Sequence, residues 1–165
     1  GEEARAGRRG SHPGVAIYGM DPFGNDPADH DLRPVLSLHS WVASVKDFKV
    51  GDSAGYGRTW KAGQPTRVAA VPIGYGDGLR RGLSNKGEVL IGGRRHPICG
   101  TVSMDNITVD LGPDSEVRVG DEVTLIGSQN DEAILSEQVA EQLETINYEV
   151  TCGISPRVPR VGRED

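Results

Sequence analysis

The chain has 165 residues, which fits one domain with a real core, and its apolar share of 36% rises to about half with the 23 glycines, a level that excludes a disordered chain. A formal net charge of −6 with no block of basic residues argues against a nucleic-acid surface. No run approaches the roughly 18 apolar residues of a membrane span, and no apolar segment of the signal-peptide kind opens the sequence.

The first ten residues, Gly1 to Gly10, are polar, aperiodic and begin without Met, and they read as a cut or a flexible lead-in. Val15-Ala16-Ile17-Tyr18 is a short apolar run that predicts a strand, followed by a turn-rich surface loop reaching to Pro34. Leu36, Leu38 and Ser40 alternate in one phase, but Trp41, Ala43 and Val45 alternate in the other. The apolar face is therefore expected to change side near Ser40, through a β-bulge or a twist. Lys49-Val50-Gly51-Asp52 and Arg118-Val119-Gly120-Asp121 share a Gly-Asp turn pattern too short to count as a repeat. Val68 to Ile73 and Glu88 to Ile91 predict strands, and Gly92-Gly93 is a two-residue hairpin signal before Arg94 to Ile98. Val102, Met104, Ile107, Val109 and Leu111 predict another strand with a shift near Asp105-Asn106, and Val117 to Ile126 one more, for a total of six or seven. Leu135, Val139, Ala140 and Leu143 fall at helical spacing behind Ser136 as N-cap, and Asn147 to Gly153 offers a second short helical turn. The predicted fold is mainly β, a partly closed barrel or sandwich with one or two short helices near the C-terminus.

Three stretches carry the chemistry: Ala54-Gly55-Tyr56-Gly57-Arg58-Thr59-Trp60, Pro72-Ile73-Gly74-Tyr75-Gly76-Asp77-Gly78 and Thr101-Val102-Ser103-Met104-Asp105-Asn106. The first two set a tyrosine between glycines, which lets main chain and a phenol come close to a small charged ligand. Taken alone, a tyrosine near a strand end is as a rule a packing residue, Met104 has core filler as its alternative reading, and Asp105 either orients its loop or is a solvated turn carboxylate. A phosphate loop is set aside, because neither Gly-x-x-x-x-Gly-Lys-[Ser/Thr] nor Gly-x-Gly-x-x-Gly before a helix occurs. His30, His39 and His96 show no metal-ligand spacing, so no metal site is expected. Cys99 and Cys152 make no disulfide framework, and a reducing cytoplasm suits them.

Together the three stretches resemble the C-terminal domain of the alanine racemase family, and the resemblance runs from about Gly14 to Arg160. It implies pyridoxal 5'-phosphate as cofactor, L-alanine and D-alanine as substrates, a cytoplasmic homodimer and D-alanine for cell-wall synthesis. It further implies that residues 14–165 form the β domain and 1–13 a lead-in or a remnant of the linker from an N-terminal barrel. That barrel carries the cofactor lysine in the family, in a motif resembling Lys-Ala-Asp-Ala-Tyr-Gly-His-Gly; none occurs between Gly1 and Asp165, so the chain is expected to supply half of an active site. By the same resemblance Tyr56 is the catalytic base for L-alanine, Tyr75 lines the substrate side, Met104 offers its backbone N–H to the substrate carboxylate, and Gly14 and Val15 offer theirs to the cofactor phosphate. Arg81 either lines the substrate entrance or is a solvated charge. Two positions depart from the family: His12 stands where an arginine meets the cofactor's pyridine nitrogen, and Pro156 stands where many members carry a tyrosine that reaches the phosphate. His12 is read either as that contact or as an exposed residue. Two rival readings are a non-catalytic β module that dimerises or binds a ligand, and a broader amino-acid racemase.

Overall fold

Short apolar runs punctuated by glycine, aspartate and proline favour strands over long helices. The computed structural model describes residues 14–162, so the expectations for the lead-in, His12 among them, lie outside the described residues. In chain order the elements are β1 (Leu38–Trp41), β2 (Ser44–Phe48), β3 (Ser53–Ala54), β4 (Trp60–Lys61), β5 (Thr66–Val71), β6 (Glu88–Ile91), β7 (Arg94–Pro97), β8 (Ile107–Gly112), β9 (Glu122–Gln129), β10 (Glu132–Ile134), α1 (Ser136–Gln142) and α2 (Asn147–Cys152). The fold is mainly β with two short helices after the last strand, as the sequence predicts. The described residues hold ten strands rather than six or seven, because β3, β4 and β10 are too short for alternation to register.

Strands β1, β9, β6 and β7 lie side by side with β10 also on β9; β2, β5 and β8 form a second sheet, and β3 and β4 a small third. All pairings are antiparallel. One core serves the two larger sheets: Leu90, Ile91 and Val123 from the first pack with Val71, Ile107 and Val109 from the second, and Val139, Ala140 and Val150 of the helices close it. The sheets meet at two corners without closing into a ring. At one, Ile98 just past β7 bridges Val109 of β8. At the other, the Val42 N–H donates to Asp121 O at 2.9 Å, beside β9, whereas the next N–H, from Ala43, donates to Ala70 O of β5 at 2.8 Å.

That corner corrects the expected flip at Ser40. Leu38, Ser40 and Val42 all point inward, Trp41 and Ala43 outward, and the phase is reset only where the chain leaves one sheet for the other. A register shift does occur in β1, between Leu38 and His39. The two Gly-Asp segments form the same turn: Asp52 Oδ2 accepts the Lys49 N–H at 2.7 Å, and Asp121 Oδ2 accepts the Arg118 N–H at 2.8 Å. Val117 to Gly120 consequently lies in a turn approach, and β9 begins only at Glu122. Ser136 opens α1 but does not cap it; Gln138 Oε1 accepts the Leu135 N–H at 3.0 Å, and the Ser136 hydroxyl donates to Glu137 instead.

The predicted strand at Val15 to Tyr18 is instead a 3₁₀ turn over Gly14–Tyr18. A four-residue apolar run becomes a strand only beside a partner. Here Gly14, at φ +57°, curls the chain so that the Gly19 N–H returns to Ala16 O at 3.0 Å and the Met20 N–H to Val15 O at 3.3 Å. The segment that follows is fastened to the helices. Glu137 Oε1 accepts the Asp21 N–H at 3.0 Å and the Asn147 amide at 2.9 Å, Oε2 accepts the Ser136 hydroxyl at 2.9 Å, and Asn147 Nδ2 also donates to Asp21 O at 2.7 Å. All four residues are buried. Burial raises the Asp21 carboxyl, but the Phe23 N–H and the hydrogen bond and charge of His30, 2.5 Å away, outweigh it and hold the group below the usual carboxylate range.

Candidate active site

Tyr56 sits in the turn between β3 and β4, flanked by Gly55 at φ +73° and Gly57 at φ +74°, and its side chain is 75% exposed. Only glycine fits at position 55: the backbone is left-handed, and a Cβ would meet Thr101 N at 2.8 Å. The Thr101 hydroxyl donates to Tyr56 O at 2.9 Å, so the segment after Cys99 presses directly on the tyrosine turn.

The same segment is bonded on its other side to the second tyrosine turn. The Tyr75 N–H donates to Ser103 O at 3.0 Å and the Gly76 N–H to Met104 O at 2.9 Å, while a Cβ on Gly74 would come within 2.3 Å of Ser103 O. Those carbonyls are therefore turned away from any ladder, which is why the expected strand over Val102 to Met104 is a loop and β8 starts at Ile107. Asp77 folds back to accept the Gly74 N–H at 2.9 Å. Tyr75 and Met104 both stand out to solvent, about half exposed. Three segments distant in sequence thus form one ledge, with the Met104 loop as its spine.

Arg157 fastens the ledge from the C-terminal tail. Its Nη2 donates to Asp105 Oδ1 at 2.6 Å and its Nε lies 3.4 Å from Asp77 Oδ1, so one guanidinium joins the Met104 loop to the Tyr75 turn. Hydrogen bonding to Asp105 and the charges of both carboxylates raise the arginine's pKa. The Ser155 N–H adds a bond to Asp77 O at 2.9 Å. The sequence reading missed Arg157 and Asp77 as partners; the Gly-Asp-Gly ending of the second stretch was the one local signal, and nothing local pointed to the arginine.

Gly14 and Val15 lie apart from the ledge. Val15 is buried, while Gly14 is exposed against α2, where a Cβ would stand 3.1 Å from the Tyr148 hydroxyl. Among the described residues no hydrogen bond joins this turn to the ledge. Arg81 is exposed on a 3₁₀ turn over Arg81–Leu83, and Pro156 is exposed in the tail. His30 pairs with Asp21, His39 Nδ1 lies 3.2 Å from the Thr124 hydroxyl, and His96 is buried in β7; no group of three or more His, Cys, Asp or Glu that could hold a metal occurs among the described residues. Both cysteines are free, and burial pushes the Cys99 thiol up to about 12. No helix among the described residues is long and apolar enough to cross a membrane.

Fold and ledge together define a class: a small β domain that holds two tyrosine turns and a methionine loop rigidly against one another and presents them outward. Residues 35–162 match the family pattern described as alanine racemase, C-terminal domain. An alanine racemase of Cutibacterium acnes is 58% identical over 148 residues, 89% of this chain and 39% of that protein. The crystal structure of alanine racemase from E. faecalis superposes with a TM-score of 0.83 at 43% identity, covering 89% of this chain and 39% of that one. That of Bartonella henselae, described with covalently bound pyridoxal phosphate, does so with a TM-score of 0.81 at 35% identity, covering 90% and 40%. The chain belongs to the alanine racemase C-terminal domain family, and it spans about two fifths of the length of these relatives.

Proposed function

We propose that this domain, as part of a longer alanine racemase, supplies the base that works on the L face of the substrate. Interconverting two enantiomers means taking the Cα proton on one face and returning it on the other, and a single group cannot easily reach both. Tyr56 serves one face; a lysine on an N-terminal barrel domain, outside these 165 residues, serves the other. Tyr75 lines the substrate side, and the Met104 loop turns a backbone N–H toward the carboxylate. The observation that carries this reading is the ledge itself, in which the exposed Tyr56 turn is hydrogen-bonded to the same loop that is bonded to the Tyr75 turn.

Pyridoxal phosphate, when bound, disperses the electron pair left on Cα when the proton leaves. The residues present fit the phosphate end of that group. Gly14 exposes a left-handed backbone beside the Tyr148 hydroxyl, where a Cβ would crowd the phenol oxygen at 3.1 Å, so glycine leaves the main-chain N–H open to a small anion. Gly14 and Val15 would hold it through their N–H groups, His12 would take over the role of the family's arginine toward the pyridine nitrogen, and Pro156 forgoes the family's tyrosine contact. Residues 14–165 act as the domain and 1–13 as its lead-in. Two copies pair in the cytoplasm, and D-alanine leaves for cell-wall synthesis.

The test is Tyr56→Phe in the intact racemase, which removes the base and little volume. Turnover should fall about 10²–10⁴-fold with binding little changed. Near-normal turnover in both directions would return Tyr56 to a packing role.

A further inference from the structure

We infer that Asn85 is the positioning residue of the ledge: its side-chain amide ties the turn that carries Tyr56 to the loop that carries Met104, and so sets where the phenol stands. The inference rests on the proposed role of Tyr56. Asn85 follows the 3₁₀ turn Arg81–Leu83 and has φ +58°, a left-handed conformation that asparagine tolerates better than most residues. The backbone thereby aims a short amide between two loops that no ladder joins.

Both ends of that amide are used. Oδ1 accepts the Gly100 N–H at 2.6 Å, and Nδ2 donates to Thr59 Oγ1 at 3.1 Å. The orientation is fixed by chemistry, because a backbone N–H can only donate, so the oxygen must face Gly100. Thr59 follows the Tyr56–Arg58 turn directly, and its hydroxyl lies 3.3 Å from that of Thr101, which donates to Tyr56 O at 2.9 Å. A continuous polar chain therefore runs from Asn85 through Thr59 and Thr101 to the main chain of Tyr56. The neighbouring Ser84 strengthens the same anchorage, its hydroxyl accepting the Val102 N–H at 3.0 Å. Arg157 secures the spine on the Tyr75 side; Asn85 secures it on the Tyr56 side. No other side chain of this length offers one donor and one acceptor at once: aspartate keeps the acceptor, glycine keeps only the backbone conformation.

These differences define the experiment. In the isotopically labelled 165-residue chain, Asn85→Gly and Asn85→Asp are compared by amide exchange and backbone order parameters at Gly57 and Gly100, and in the intact racemase by kcat and KM. Asn85→Gly should speed Gly100 exchange about tenfold and lower the order of Gly57, since a lost hydrogen bond of this kind is worth about a factor of ten. Asn85→Asp should keep Gly100 protected and loosen Gly57 alone, because the Thr59 hydroxyl then turns to donate to the carboxylate and no longer donates to Thr101. In the intact racemase both should lower kcat about tenfold with KM within about twofold, because a small misplacement of a reacting group acts on the chemical step. Adding Asn85→Gly to Tyr56→Phe should cost nothing further. Unchanged exchange and order at both glycines in Asn85→Gly would overturn the inference, as would an undiminished tenfold loss in the Tyr56→Phe background. Should Tyr56→Phe alone leave turnover intact, the base assignment falls while the exchange data still judge the tie.

Discussion

Tyr56 stands mostly exposed, and the role proposed for it assigns its phenol one face of the substrate. If it and a barrel lysine stand on opposite faces of the substrate, Tyr56→Phe should affect the enantiomers unequally. Deuterium washout from Cα, followed by NMR in the intact racemase, should survive better for D-alanine, whose proton faces the lysine, than for L-alanine. Equal residual washout, or faster loss from L-alanine, removes Tyr56 from the L face. Residue by residue, the sequence is informative where glycine brackets a functional side chain, since Gly55 and Gly74 are required by contacts with other backbone. Tyr56 and Tyr75 stand out in the sequence for that reason, whereas Met104, between Ser103 and Asp105, has no glycine beside it and stands out only through the resemblance. Asn85 and Arg157 were not, because each acts through partners far off in sequence: Thr59 is 26 residues from Asn85, and Asp105 is 52 from Arg157. A polar residue beside a turn looks the same whether or not such a partner exists.

At the level of elements, β7 carries a titratable group into the core. Burial lowers the pKa of His96 below its ordinary value, against hydrogen bonding to the Asp110 and Ile91 backbone, which raises it. The unfolded chain then takes up a proton near pH 6.5 more readily than the folded one, so stability is lost as pH falls below about 6.5 and the loss levels off under the folded-state value. Asp21 works in another window: its depressed pKa stabilises the fold above the unfolded carboxyl value, and that contribution goes only as pH drops below about 4. Urea midpoints at pH 7.5 and 5.5 should therefore differ, and His96→Gln should narrow the gap; an unchanged gap would place the proton elsewhere. The junction of α1 and α2 with the Asp21 segment should be equally sensitive. Glu137→Ala leaves the Asp21 N–H, one N–H of the Asn147 amide and the Ser136 hydroxyl without their acceptor, a loss of about 3 kcal/mol or more in urea unfolding. A change under about 0.5 kcal/mol, the surface range, would show that water replaces the carboxylate. The hairpin at Gly92-Gly93 and the extent of β6 were readable from turn chemistry and alternation. The Val15–Tyr18 turn was misread because four apolar residues suit strand or helix alike until their partners are known.

For the molecule as a whole, the exposed ledge implies dependence on another domain. The 165-residue chain by itself should racemise no alanine, and incubation with pyridoxal phosphate followed by borohydride reduction should label no single lysine among Lys46, Lys49, Lys61 and Lys86. Chiral chromatography after long incubation and peptide mapping would check both, and one stoichiometric labelled lysine would contradict the division of labour. The stitching of the ledge by Arg157 bears as well on how the protein is made. Synthesis runs from the N-terminus at about 5–20 residues per second, so Asp105 leaves the peptidyl-transferase centre on the order of 3–10 s before Arg157, 52 positions later, is added. During that interval Asp77 and Asp105 lack the cation they share in the finished domain. Until the tail has been translated the guanidinium that joins the two loops does not exist, so the ledge cannot reach the arrangement of the finished domain any earlier.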